Sequence, residues 1–217
     1  MKILIFDTET SGLPEDRNAS LLSTNKWPYI LQLSYILYDS SKNIILDYSD
    51  NLVKIGNDVS INPKSIEIHK ITREMCNSNG ISIIDILNNF NKVLLQTDLI
   101  VGHNLQFDKN MLIVEHIRNK INHNFNPRNI PIPSFCTMEN GTTICNLTYK
   151  RRDGSLVPKY PKLLELYKHY FNDIPSGLHN AMNDVIVTMR CYYKMQFALD
   201  IFECSLDMKN LKEQYFN

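Results

Sequence analysis

The first twelve residues, MKILIFDTETSG, constrain the fold more than any other stretch. Ile3, Leu4, Ile5 and Phe6 are apolar without a break, the pattern of a strand covered on both faces in an α/β sheet. The strand read here, residues 2–8, ends on charge. Side chains alternate along a strand, so Asp7 and Glu9 point to one face and Thr8 to the other. Two carboxylates held close together repel by about 4 kcal/mol with surface-like screening. Either both are solvated beyond the strand, as acidic residues mostly are, or they form part of a site for hard divalent cations. In α/β sheets ligands gather at the carboxyl ends of strands, which is where Asp-Thr-Glu falls.

The segments that follow alternate between the two periodicities. YILQLSYILYD and NIILDYSDNLVK are β-rich and separated by a short polar stretch, an antiparallel pair beside the first strand. INPKSIEIHKIT reads as a turn or short helix. ISIIDILNNFNKVLLQ carries Ile84, Leu87, Val93 and Leu94 at helical spacing. DLIVGHN reads as another short buried strand, and FDKNMLIVEHIRNK as an amphipathic helix with Met111, Leu112, Val114, Glu115 and Arg118 on different faces. FCTMENGTTIC reads as a strand end and a short helix, and KRRDGSLVPKYP as a basic loop. Pro161 suits the first turn of the helix KLLELYKHYF. In NAMNDVIVTMRCYYKMQFALD, Met182, Val185, Ile186 and Met189 recur three and four apart, a helix with one apolar face. The reading is an α/β fold with one domain over residues 1–197 and a C-terminal extension, 198–217, packed on it.

Composition narrows the classes of function. The 217 residues suffice for one sizeable core. The formal net charge is zero, which excludes a polycationic nucleic-acid coat; any nucleic-acid contact must be local or bridged by metal ions. No apolar run is long enough to cross a bilayer and no signal pattern stands at the N-terminus, so an intracellular protein without a membrane partner is expected. The five cysteines are scattered and lack Cys-x-x-Cys spacing, which argues against a disulfide framework or zinc site.

Two further segments bear on the carboxylates. In GHNLQFDKNML, Asp108 opens a helix just after a strand; such an acid can simply compensate the helix N-terminus. His103 and Asn104 beside it can be turn residues. In GLHNAMNDVIVTM, His179 precedes the last helix and Asp184 lies about one turn inside it. Asp184 can be a solvated helix-face residue and His179 a structural one; the same spacing is also what sets a proton acceptor beside a metal ligand, and neutral His takes a proton from water near neutral pH.

Together FDTETSG, HNLQFD and HNAMND resemble the three motifs of the DEDDh 3′–5′ exonucleases of the ribonuclease H-like superfamily. That family includes the proofreading subunit of bacterial replicative polymerases. The resemblance covers residues 1–197, with IHKIT at 68–72 and FCT at 135–137 as further landmarks. It implies a mixed five-stranded sheet flanked by helices. It implies two divalent ions, Mg²⁺ or Mn²⁺, held by Asp7, Glu9, Asp108 and Asp184, with Asp7 bridging both. It makes His179 the general base for the attacking water, and a nucleoside 5′-monophosphate the product.

By the same resemblance, the backbone around Thr8 and Thr10, with Leu13 as an apolar contact, lies where the family grips the terminal nucleotide, and His69 near that nucleotide; Thr10 can equally be a loop hydroxyl, and His69 a cap for the turn before Thr72. His103 and Asn104 either line the site or position the strand end. Lys70 stands where the family usually has Gly. The implied partners are single-stranded or frayed 3′ ends of DNA or RNA; proofreading beside a polymerase on another chain, repair and RNA trimming all fit, and no oligomeric state is implied. The basic run Lys150, Arg151, Arg152 and Lys159 is either a solvated loop or a track for phosphates. The runner-up is a non-catalytic nucleic-acid-binding or polymerase-docking module on the same fold.

Overall fold

The computed structural model describes residues 1–217 apart from Arg17, Ser176 and Asn217. β1 (Lys2–Thr10) is followed by the hairpin partners β2 (Ile30–Asp39) and β3 (Ile44–Leu52). Helices α1 (Pro63–His69), α2 (Arg73–Asn79) and α3 (Ile83–Leu94) lead to β4 (Leu99–Gly102), α4 (Leu105–Arg118) and β5 (Ser134–Cys136). After α5 (Thr137–Cys145) come β6 (Thr148–Lys150) and β7 (Leu156–Pro158), then α6 (Leu163–Phe171), α7 (Ala181–Phe197), α8 (Ile201–Cys204) and α9 (Leu206–Tyr215). The main sheet has the order β3-β2-β1-β4-β5. β1 runs antiparallel to β2 and parallel to β4, so the sheet is mixed, as expected.

The alternation along β1 divides the core. Leu4 and Phe6 pack with Leu87 and Phe90 of α3 and Met111 and Leu112 of α4. Ile3 and Ile5 face the other way, onto Met182, Val185, Ile186 and Met189 of α7. Ile3, Leu4, Ile5 and Phe6 are all fully buried, and burying each is worth about 1.5–3 kcal/mol. This packing fixes the register, and with it the face on which the next odd-numbered residues, Asp7 and Glu9, emerge. β1 runs two residues beyond the expected end because β2 continues to pair with it, through Glu9↔Gln32 and, after a bulge, Thr10↔Ile30.

Several other expectations need correction. In α3 the buried face is Ile86, Leu87, Phe90, Val93 and Leu94, whereas Ile84 is exposed. Glu115 of α4 does not belong to a solvent face: it is buried, ion-paired with Arg118 and accepts the Ile30 amide. Arg118 in turn donates to the carbonyls of Thr24 and Trp27 and lies over the Tyr29 ring, tying the long connection after β1 to α4. The basic loop is instead the small antiparallel hairpin β6–β7. Pro161 lies before α6 rather than in its first turn; Lys162 is the cap residue, and its amide donates to the Glu165 carboxylate.

Lys70, where the family usually has glycine, takes a left-handed backbone (φ 62°) as the C-cap of α1. The conformation a glycine would supply is kept, at about 1–2 kcal/mol. Residues after α7 fold back on the sheet: Met208 and Leu211 are buried with Ile36 and Tyr38. Asp207 accepts the amide of Ile45, and Ser205 donates to the Asn43 carbonyl, covering the start of edge strand β3. The five cysteines are free thiols. Among the described residues, no helix is long and apolar enough to cross a membrane.

Candidate active site

Asp7 and Glu9 leave β1 on the α7 side, and α7 brings a third carboxylate to them. Asn180 caps that helix, its side chain accepting the amides of Met182 and Asn183. This cap places Asp184 in the first turn. One carboxylate oxygen from each of Asp7, Glu9 and Asp184 lies within 4.8 Å of the others. Among the described residues none of these acids, nor Asp108, pairs with a lysine or arginine.

Asp108 arrives by another route. β4 pairs with β1 only along Ile3–Ile5, so the β1 edge beyond it has no strand partner. Asn104, in a left-handed conformation, starts α4 just past β4 and swings Asp108 against that open edge. There one Asp108 oxygen accepts both the Thr8 amide (3.0 Å) and the Thr8 hydroxyl (2.6 Å). Asp108 therefore adjoins the cluster of three without joining its 4.8 Å circle. The Thr8 side chain is buried and holds the Asp108 carboxylate.

Burial and mutual repulsion act together on these acids. Asp7 is held well above the usual carboxylate range, first by burial and then by Asp108, Asp184 and Glu9. Glu9 is pushed up to about 9, by burial, Asp184 and Asp108. Asp108 and Asp184 are each pushed up to about 7, chiefly by burial. The Thr8 hydrogen bonds oppose the rise at Asp108, and the His179 amide opposes it at Asp184.

His179 sits at the mouth, exposed, with left-handed backbone (φ 70°) and its amide directed at both Asp184 oxygens (3.3 Å each). The same cleft, about 490 Å³, is lined by Asp7, His103, Tyr160, Pro161, His179 and Asp184. His103 contacts the Thr137 hydroxyl (3.0 Å) and the Pro161 carbonyl (3.1 Å). Burial pushes its imidazole down to about 4, so it is neutral at pH 7, donates from Nε2 to Pro161 and accepts from Thr137 at Nδ1.

The remaining expected residues spread outward. Thr10 is buried, and its hydroxyl donates to the Gly12 carbonyl (2.7 Å). His69 has both ring nitrogens engaged: Nδ1 accepts the Ile71 amide and Nε2 faces the Thr10 carbonyl. Burial lowers its pKa, and nearby His179 lowers it further. Leu13 is 80% exposed and lines a separate hollow with Gly12, Trp27, Tyr29 and Asn62. Asn104 is exposed and its side chain caps nothing.

Two positions beside the site carried no sequence signal. Asn183 donates to the Gly177 carbonyl (2.8 Å), bracing the loop that carries His179. Gln32, opposite Glu9, accepts the Ala181 amide and donates to Asp50, tying the start of α7 to β2. An isolated Asn or Gln is unremarkable in sequence; only the packing of α7 on the sheet assigns it a partner.

A protein-family model described as "Exonuclease" (RNase_T) matches residues 4–192, and the chain belongs to that family. No curated protein sequence matches the chain. Among solved structures, E. coli exonuclease I in complex with a dT13 oligonucleotide superposes with a TM-score of 0.67 at 20% identity, over 90% of this chain and 41% of that one. Its complex with dA16 gives 0.68 at 19% identity over 98% and 42%. A zinc-bound form of the E. coli enzyme with single-stranded DNA gives 0.68 at 18% identity over 94% and 42%. The fold is thus that of exonuclease I, while this chain spans about two-fifths of its length.

Proposed function

We propose that this chain is a metal-dependent 3′–5′ exonuclease that hydrolyses terminal phosphodiester bonds of nucleic acid and releases nucleoside 5′-monophosphates. The observation that carries the reading is the convergence of Asp7, Glu9 and Asp184 within 4.8 Å, without a cationic partner among the described residues, in a member of the exonuclease family. Oxygen-only donors with uncompensated charge fit hard divalent cations. Asp7, Glu9 and Asp184 would hold one ion, and Asp7 with Asp108 a second. Two Mg²⁺ or Mn²⁺ ions supply, when bound, charge neutralisation for an in-line displacement and a lowered water pKa.

The chain's own groups do the rest. The imidazole of His179 takes the proton of the attacking water. The water oxygen bonds to phosphorus, the bond to the 3′ oxygen breaks, and the shortened strand leaves with that oxygen. Thr8 fixes the Asp108 oxygen that accepts from it, and the Thr10–Gly12 turn, with Leu13 beyond it, meets the terminal nucleotide. The complexes of E. coli exonuclease I with dT13 and dA16 make single-stranded DNA the first substrate to try.

A product ladder from 3′-labelled DNA and RNA, single-stranded and with a mismatched 3′ end, tests the reading. Mononucleotides should accumulate from the first time point with Mg²⁺ or Mn²⁺, and Asp7→Ala or Asp184→Ala should abolish them. His179→Ala should lose most turnover and keep much of its metal binding. Near wild-type rates in either aspartate variant would sink the assignment. Tight binding without hydrolysis would favour a binding module on the same fold.

A further inference from the structure

The β6–β7 hairpin immediately precedes the segment Tyr160–Lys162 that lines the cleft, and has no part in the chemistry above. We infer that it is an arm that grips phosphates of the nucleic-acid strand a few nucleotides 5′ of the reacting end; this rests on the exonuclease reading. Three consecutive cations, Lys150 at the end of β6 and Arg151 and Arg152 in the turn, are exposed. Among the described residues none of them is ion-paired.

Neither nearby acid is ion-paired with Lys150, Arg151 or Arg152. Asp153 accepts the amide (2.9 Å) and hydroxyl (2.7 Å) of Ser155. Glu165 takes the Lys162 amide and the Lys159 ammonium. In a chain of zero net charge, the three cations of the hairpin outnumber its one acid, Asp153, which leaves a local excess of positive charge.

The hairpin is also anchored at its base. Its turn is closed by Arg151 N–H to the Ser155 carbonyl (2.8 Å) and by Gly154, whose φ of +89° suits glycine. Its base is closed by Lys159 N–H to the Leu147 carbonyl (2.9 Å). Tyr160, Pro161 and Lys162 follow directly and line the cleft with Asp7 and His179. The His103 ring pins Pro161, so the arm grows from a fixed wall. Ser155 is five residues from Tyr160, at most about 18 Å along the chain, which is the reach of a few nucleotides. Tyr160 and Tyr149 are 60% and 49% exposed, aromatic faces of the kind on which bases stack beside phosphate contacts.

The test uses the full chain with Lys150, Arg151 and Arg152 all changed to Ala, and a control with Arg151→Lys and Arg152→Lys. Each is assayed on a single-stranded oligo-dT of about twelve nucleotides and on a dinucleotide, across a salt series. For the Ala variant, KM on the long substrate should rise roughly tenfold. The slope of log affinity against log salt should fall by about 2, while dinucleotide turnover stays at the wild-type value. The Lys control should stay near wild type on both. An unchanged KM and salt slope on the long substrate would overturn the inference, as would an equal loss on both substrates. A wild-type protein that hydrolyses neither substrate with Mg²⁺ or Mn²⁺ would overturn the exonuclease reading itself, and the arm with it.

Discussion

Asp184→Asn should stabilise the metal-free protein while removing its response to metal. Two unit charges 4.8 Å apart, the outer limit within the cluster, repel by about 3.5 kcal/mol at an effective dielectric of 20. Protonation relieves part of this, leaving on the order of 1–3 kcal/mol for one carboxylate against its neighbours. In a chain of this size that corresponds to a Tm higher by roughly 3–10 °C. The sign follows from the shifts. Glu9 titrates near 9 and Asp108 and Asp184 near 7 in the folded protein, all above the carboxylate values of an unfolded chain. Their contribution to stability is complete below the unfolded values and is lost as pH rises through 7 and then 9. Melting in EDTA should therefore show wild type losing Tm from pH 5 to pH 9, with a flatter profile in the variant. Saturating Mg²⁺ or Mn²⁺ should invert the order, because an ion present at a hundred times its Kd adds about 2.7 kcal/mol to whichever form holds it. If the variant melts at or below wild type in EDTA at pH 8, or if metal raises both equally, the cluster is not the strained ion site argued here.

Other expected outcomes are more local. Thr8→Val removes a 2.6 Å donor from buried Asp108 and should cost about 1–3 kcal/mol in chemical denaturation at pH 8, with weaker Mn²⁺ binding by titration. Asn183→Ala frees the Gly177 carbonyl and should lower kcat about tenfold or more, by misplacing His179, with KM nearly unchanged in steady-state kinetics. Arg118→Ala strands the buried Glu115 charge and should cost about 3–5 kcal/mol; adding Glu115→Gln should recover part of that loss in urea melts.

What was legible in the sequence was what lies on one element. The co-facial placement of Asp7 and Glu9 needs only strand alternation, and the spacing of His179 and Asp184 needs only a helix start. Their meeting is tertiary, yet it follows from β1 and α7 sharing one apolar face. The Asp108–Thr8 pairing was not legible, since it depends on β4 ending early enough to leave the Thr8 amide open a hundred residues away. The burial of Glu115 against Arg118 is not legible because a charged pair on an amphipathic helix looks the same whether water or another segment faces it. Strands of three residues carry too little alternation to announce β6 and β7. The start of α6 was misplaced because a side chain from β4's end, His103, takes the Pro161 carbonyl.

The division of β1 between two helical layers has a consequence for how such a chain can change length. Even-numbered residues from Leu4 to Thr8 serve the α3–α4 side, and odd-numbered ones from Ile3 to Glu9 the α7 side. Deleting or inserting one residue between Lys2 and Phe6 would turn either the core run or the acids onto the wrong layer. The connection from Ser11 to Tyr29 carries no such parity. Lineages of this chain should accumulate insertions freely between Glu15 and Thr24 and almost none within the first ten residues.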